Sequence, residues 1–128
     1  MPIRQELDPA ARVFRTAISG VVTPEDMRRH FAIVRQVRAA QYPELIEVCP
    51  TSQAFWGMRD LIRLAHVAKE LLSCSGPMAR AIVVTNEDHA ARARTFASLV
   101  AGWIRVGVFY DRESAEEWLT RQVARQES

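Results

Sequence analysis

Thr51 and Ser52 are the residues in this chain best placed to do chemistry. They follow a short apolar run and precede a helical pattern, so an anion there could meet free backbone N–H groups, or either hydroxyl could accept a phosphoryl group. Plain helix capping by Ser52 explains the same residues. Cys49 could be a reactive thiol if a helix N-terminus lowered its pKa, but no histidine accompanies it in sequence, and a buried thiol at a strand end fits as well. Cys74 sits in Ser73-Cys74-Ser75-Gly76, which lacks the Gly-x-Ser-x-Gly spacing of a nucleophile elbow.

His30, His66 and His89 fall on three different helical segments. None pairs at i, i+4 with another His or Cys, so the spacing predicts no metal site and places all three at the surface or half-buried. Glu25-Asp26, Glu87-Asp88 and Glu116-Glu117 are adjacent carboxylates, which point to different sides of a helix and make no catalytic dyad. Phe55 and Trp56 cannot both face one core, so Phe55, Trp56 and Met58 form a candidate patch for dimerisation or for an apolar ligand. The alternative is that Trp56 lies flat over the sheet edge. Arg28, Arg29, Arg35, Arg38, Arg92 and Arg94 could meet an anionic partner or membrane surface, although solvated helix faces carry such residues too.

The elements that must position these residues are clearly punctuated. Ile3, Gln5 and Leu7 alternate with polar residues, Asp8-Pro9-Ala10-Ala11 supplies a turn, and Phe14, Thr16 and Ile18 share one side of a second run, which together predict a hairpin. Thr23-Pro24-Glu25-Asp26 starts a helix carrying Met27, Phe31 and Val34, which ends before Pro43. Leu45 to Val48 reads as a strand. A helix from about Ala54 to Ser73 follows, its apolar face expected along Phe55, Met58, Ile62, Ala65, Lys69 and Leu72. Ala81-Ile82-Val83-Val84 is nearly continuous in apolar residues, the mark of a central strand covered on both faces. Asn86-Glu87-Asp88 opens a third helix with Ala90, Ala93, Ala97 and Val100, which Gly102 ends. Trp103 to Tyr110 reads as a strand, and Asp111 caps a last helix through Ala115, Trp118, Leu119 and Gln122. The order is ββ-α-β-α-β-α-β-α, and strands joined by helices this long need right-handed parallel crossovers.

The 128 residues suit one domain spanning 1–128, and 48% hydrophobic with 25% charged residues is a globular composition. Seventeen basic against 15 acidic residues give a net charge of only +2. The two signs interleave instead of forming a basic stripe, which argues against nucleic acid. A helix roughly 30 Å long separates Cys49 from Cys74, beyond disulfide reach, so two free thiols and a reducing, cytoplasmic setting are expected. No apolar signal core opens the chain, and no run is long enough to span a membrane.

Three marks together resemble STAS-type domains, including the SpoIIAA-like group of anti-sigma-factor antagonists. They are Ile18-Ser19-Gly20-Val21-Val22-Thr23-Pro24-Glu25-Asp26, Ala79-Arg80-Ala81-Ile82-Val83-Val84, and Val106-Gly107-Val108-Phe109-Tyr110-Asp111 with Ser114-Ala115-Glu116-Glu117-Trp118-Leu119. The resemblance implies a four- or five-stranded mixed, mostly parallel α/β sheet with helices mainly on one face. It also implies non-enzymatic work: partner binding, nucleotide or lipid sensing, or regulation by phosphorylation. In phosphorylated antagonists the acceptor lies just after the third strand, in an Asp-Ser-Ser-Gly-like turn. Cys49-Pro50-Thr51-Ser52 occupies that place and supplies the hydroxyls without the Asp or Gly. Related CRAL-TRIO folds carry apolar ligands. The expectation is therefore a regulatory module without a cofactor, acting through a protein partner or as a homodimer. The alternative is a carrier or sensor of a small apolar or amphipathic, lipid-like ligand. An enzyme using Cys49 would lack a base.

Overall fold

A computed structural model describes residues 2–36, 42–54, 56–72 and 79–127. The alternating start forms the expected hairpin: β1 (Ile3–Asp8) pairs antiparallel with β2 (Val13–Ile18), with Ile3 opposite Ile18 and Asp8 opposite Val13. Asp8 Oδ1 accepts the Ala11 N–H at 3.1 Å in the turn, and Arg12 takes a left-handed φ of 56°. The remaining elements are α1 (Pro24–Gln36), β3 (Glu44–Val48), α2 (Met58–Leu72), β4 (Arg80–Val83), α3 (Glu87–Val100), β5 (Val106–Phe109) and α4 (Arg112–Glu127). The five strands lie in sequence order, antiparallel at β1/β2 and parallel from β2 to β5.

That order decides where the helices go. Each parallel strand is added on the same side of the last, and right-handed crossovers then put successive helices on one face. Accordingly α1 packs on α2 and α2 on α3, while α4, which follows the last strand, lies against β3, β4 and β5. On the side of the three crossover helices, Phe14 meets Phe31, Val34, Leu64, Ala68 and Val100. On the α4 side, Val13, Leu45, Ala81 and Val83 meet Ala115 and Leu119. Both faces of β3 and β4 are thus covered, as the apolar run at Ala81–Val84 predicts. The helix starts are capped as expected: Thr23 Oγ1 accepts the Asp26 N–H, Asn86 Oδ1 accepts the His89 N–H, and Asp111 Oδ1 accepts the Ser114 N–H.

Three local features differ from the sequence expectation. α2 begins at Met58, not near Ala54. The backbone of Gln53 is already used: its N–H donates to Gly20 O and its carbonyl accepts from Val22 N, each at 2.9 Å, so this stretch stays extended. The buried stripe of α2 is Leu61, Leu64, Ala65 and Ala68, whereas Met58 and Ile62 of the expected face are 58% and 41% exposed. Apolar residues stand on two sides of this helix, and its seat between α1 and α3 selects one of them. Finally, β5 starts at Val106 instead of Trp103, because Gly102, at φ +88°, turns the chain off α3 in a conformation glycine adopts readily. Trp103 is left exposed, with Lys69 Nζ 5.6 Å from its ring centroid. Phe55, Cys74 and Arg38 lie outside the described residues, and no described helix is long and apolar enough to cross a membrane.

On the α4 side, a Cβ at Gly107 would stand 2.7 Å from Phe109 Cε2 and 3.3 Å from Trp118 Cε2. These rings already pack together, with centroids 5.5 Å apart. Gly107→Ala should therefore cost about 1–3 kcal/mol, read as a lower denaturant midpoint at unchanged slope.

Candidate functional site

The most demanding arrangement in the molecule is a buried ionic cluster that crosses three strands. Strand alternation puts Thr16 of β2, Glu44 of β3 and Arg80 of β4 on the face covered by α1–α3, and Glu44 is the register partner of Arg80. Helical spacing puts His30 of α1 over the same spot. Glu44 Oε1 accepts from Arg80 Nε at 2.8 Å. Glu44 Oε2 accepts from Thr16 Oγ1 at 2.6 Å and lies 2.7 Å from His30 Nε2. The Gln5 amide donates to His30 Nδ1 at 2.7 Å, which puts the ring proton on Nε2, facing the carboxylate. Glu44 is 0% and Arg80 2% exposed.

Burial pushes the Glu44 carboxyl up, but His30, Arg80 and the Thr16 hydroxyl all favour the ionised form and outweigh it, bringing the pKa down to about 2. Burial also pulls the Arg80 guanidinium below its ordinary value, against the attraction of Glu44, and an arginine stays charged regardless. Glu44 is well satisfied; Arg80 is not. Among the described residues its Nη1 and Nη2 have no hydrogen-bond partner. Unmet buried donors are costly, and in native proteins they call for an acceptor.

Beside Arg80 lies an apolar cavity of about 120 Å³ between the sheet and the three crossover helices. Val84, Ile82 and Arg80 line it along one face of β4 and its C-terminal extension. Two-residue spacing over four residues makes that wall about 13 Å long. Trp56 and Ser52 line it from the connection after β3, and Phe31 and Phe96, stacked 6.1 Å apart, from α1 and α3.

The connection after β3 carries the residues first singled out in the sequence. Ser52 is buried, and its hydroxyl donates to Gly20 O at 2.9 Å. Its carbonyl lies 2.7 Å from His89 Nε2, and Asn86 Nδ2 stands 3.2 Å from His89 Nδ1, so the ring proton sits on Nε2 and donates to Ser52. Ser52 thus ties three segments together and does not cap α2, whose start lies six residues further on. Thr51 is exposed, with Oγ1 3.3 Å from Cys49 Sγ. Hydrogen bonding from Thr51 lowers the pKa of the Cys49 thiol, which is free and half-buried. Trp56 is half-buried, its Nε1 donating to Val22 O at 2.9 Å. Met58 is 58% exposed and does not line the cavity that Trp56 lines.

His30 and His89 are 1% and 8% exposed, which corrects their sequence reading as surface or half-buried; each is drawn inside by buried polar partners on other segments. His66 is exposed. The paired carboxylates serve separate local ion pairs: Glu25 with Arg28 and Arg29, Asp88 with Arg92, Glu116 with Arg112. Among the described residues no three His, Cys, Asp or Glu side chains converge as metal ligands. Spacing alone missed Glu44 and Arg80, yet the signal was present. Each sits two residues before an inward-facing apolar residue, Ile46 or Ile82, in strands predicted to be neighbours.

This mixed sheet, with three crossover helices on one face and a fourth on the other, defines an α/β domain of the STAS-like class. The chain belongs to the SpoIIAA-like family, whose model matches residues 13–120. A DUF3478-family protein with a SpoIIAA-like fold from Shewanella loihica PV-4 matches at 19% identity over 91% of each chain, with a TM-score of 0.58. A chain of the complex of diguanylate cyclase SiaD with its activator SiaC, from Pseudomonas aeruginosa, matches at 15% identity over 81% of this chain and 89% of that one. Its TM-score is 0.43, too low to support a shared function. No curated protein matches.

The Glu44 carboxyl is held below its ordinary 4.5, so the ionised cluster supports the fold fully above about that pH, and the support fades as the pH falls toward about 2. Glu44→Gln should cost about 3 kcal/mol at pH 7, because it strands a buried guanidinium. Chemical denaturation at a series of pH values should show the gap between wild type and variant narrowing from pH 4.5 to about 2. A constant gap would mean that Glu44 is not an ionised partner of Arg80.

Proposed function

We propose that this domain is a non-enzymatic binding module acting through protein contact, and that a second copy of the chain is the first partner to test. The observation that supports this reading most is the exposure of large apolar side chains around one junction. Val21 is 54%, Met58 58% and Ile62 41% exposed. Hydrogen bonds from Trp56 Nε1 to Val22 O and between Gln53 and Gly20 and Val22 hold Val21 close to the segment that leads into Met58. Ile62 follows Met58 by one helical turn on the same side of α2. Such side chains held on a pinned backbone suit docking, since little entropy is lost on contact. The resemblance of the chain to STAS-type regulators points the same way. So do the polar residues of the interior: Glu44, His30, His89 and Ser52 are engaged with one another or with backbone, leaving no free nucleophile–base pair among the described residues.

The cavity beside Arg80 favours a second reading, a carrier or sensor of a small amphipathic ligand. Its 120 Å³ fits a compact apolar body. Of the two hydroxyls after β3, Thr51 is the one a modifying enzyme could reach, because Ser52 is buried and engaged.

Native mass spectrometry across protein concentration should show twice the 14.5 kDa protomer mass, and Met58→Asp with Ile62→Asp should shift the population to monomer without lowering thermal stability. A wild type that stays monomeric throughout would remove self-association.

A further inference from the structure

We propose that the cavity between the sheet and the three crossover helices takes an uncharged, hydrocarbon-like body the size of a single ring, and admits no polar group. This deepens the small-ligand reading of the cavity, on which it rests, by naming the chemistry that the interior accepts.

The gap follows from side-chain sizes on three segments. Alternation along β4 and its extension turns Arg80, Ile82 and Val84 toward the helices. Arg80 and Val84 are 2% and 0% exposed, yet Ile82, between them, is only half-buried. A strand flanks β4 on either side, so the surface left open at Ile82 faces the helix layer. There α3 contributes Ala93 to the lining, and the connection after β3 contributes Ala54. Each side chain is a single methyl group, too short to cover Ile82. The larger side chains of the wall, such as Leu61, Leu64, Phe31 and Phe96, leave a space of about 120 Å³.

The polar groups along that wall are engaged elsewhere or sealed. Ser52 Oγ donates to Gly20 O, His89 Nε2 to Ser52 O, and Trp56 Nε1 to Val22 O. The Arg92 guanidinium donates to the exposed Asp88 carboxylate at 2.6 Å. Arg80 gives its Nε to Glu44, and its Nη1 and Nη2, although without a partner among the described residues, have no surface open to the cavity. A hydroxyl, amide or carboxylate brought inside would lose its water and gain no partner, a penalty that excludes it from a site otherwise suited to apolar contact. The volume is close to the roughly 150 Å³ of an engineered apolar cavity that takes up benzene, so a ring or a chain of about six carbons fits.

Toluene, phenol and benzoate test the idea by calorimetry on the full chain. Toluene should bind one to one, at least about tenfold more tightly than phenol, as expected when a buried hydroxyl meets no acceptor. Benzoate should show no saturable binding. Ala93→Leu, at a buried position in the lining, should fill the gap and abolish toluene binding without lowering thermal stability. In the unmutated protein, toluene should shift the methyl resonances of Ile82 and Leu64 in the NMR spectrum, a readout independent of how well the variant folds. Phenol or benzoate binding as tightly as toluene would overturn the exclusion of polar groups and leave the small-ligand reading standing. Failure of all three to bind would overturn the two together. Toluene binding that leaves Ile82 and Leu64 unshifted, or that survives in a folded Ala93→Leu variant, would place it on the outer surface and overturn the proposal.

Discussion

The pairing of Glu44 with Arg80 is the interaction on which the rest of the structure depends. Two opposite charges enter the interior at the first residues of adjacent parallel strands, in register. Each charge alone would cost several kcal/mol to bury, and together they stand only because Thr16 and His30 complete the shell of Glu44. A one-residue slip between β3 and β4 would part them and turn the apolar side chains of one strand to the wrong face. The same contact fixes α1, because His30 reaches Glu44 only when Phe31 and Val34 are seated in the core. Strand register and helix placement both have to satisfy this one polar cluster.

The opposite end of the sheet is organised differently. At the C-terminal edges of β2, β3 and β4, a side chain of one connection donates to a backbone carbonyl of another. Gly20 O accepts from Ser52 Oγ, Val22 O accepts from Trp56 Nε1, and Ser52 O accepts from His89 Nε2. Bonds of this kind hold loops in place through one donor side chain each, while the accepting segment contributes only its backbone. Open parallel sheets tend to bind ligands at this edge, and here the cavity and the exposed apolar residues lie close to it. The ionic cluster lies at one end of the sheet, and the exposed apolar residues Val21 and Met58 lie at the other.

Much of the fold was legible because it depends on local signals. The caps at Thr23, Asn86 and Asp111, the alternation of Phe14, Thr16 and Ile18, and the run Ala81–Val84 each follow from short-range preferences that the tertiary structure respects. What was not legible depends on partners distant in sequence. The late start of α2 follows from Gln53 pairing with Gly20 and Val22, about thirty residues away. His89 is buried by a carbonyl 37 residues distant, and His30 by a carboxylate 14 residues distant. The face of α2 was misread because Met58 and Ile62 are as apolar as Leu61 and Ala65, and hydropathy cannot choose between two stripes. For the candidate site, Ser52 and Trp56 stood out in the sequence for other roles, a phosphate or anion site and an apolar patch, and Arg80 did not, since a charged residue at the head of an apolar strand reads as an exposed strand end.

The two proposed binding surfaces are physically connected through α2. Leu61 and Leu64 on its inner side line the cavity, while Met58 and Ile62 on its outer side face solvent. Trp56, just before the helix, lines the cavity and is tied to Val22, whose neighbour Val21 is exposed. A ligand that packs against Leu61 and Leu64 therefore acts on the same short rigid element that a docking partner would grip. If the helix sits even slightly differently in the filled cavity, linkage requires that occupancy change partner affinity and that the partner change ligand affinity by the same factor. One helix is thus wall to the cavity and face to the proposed partner.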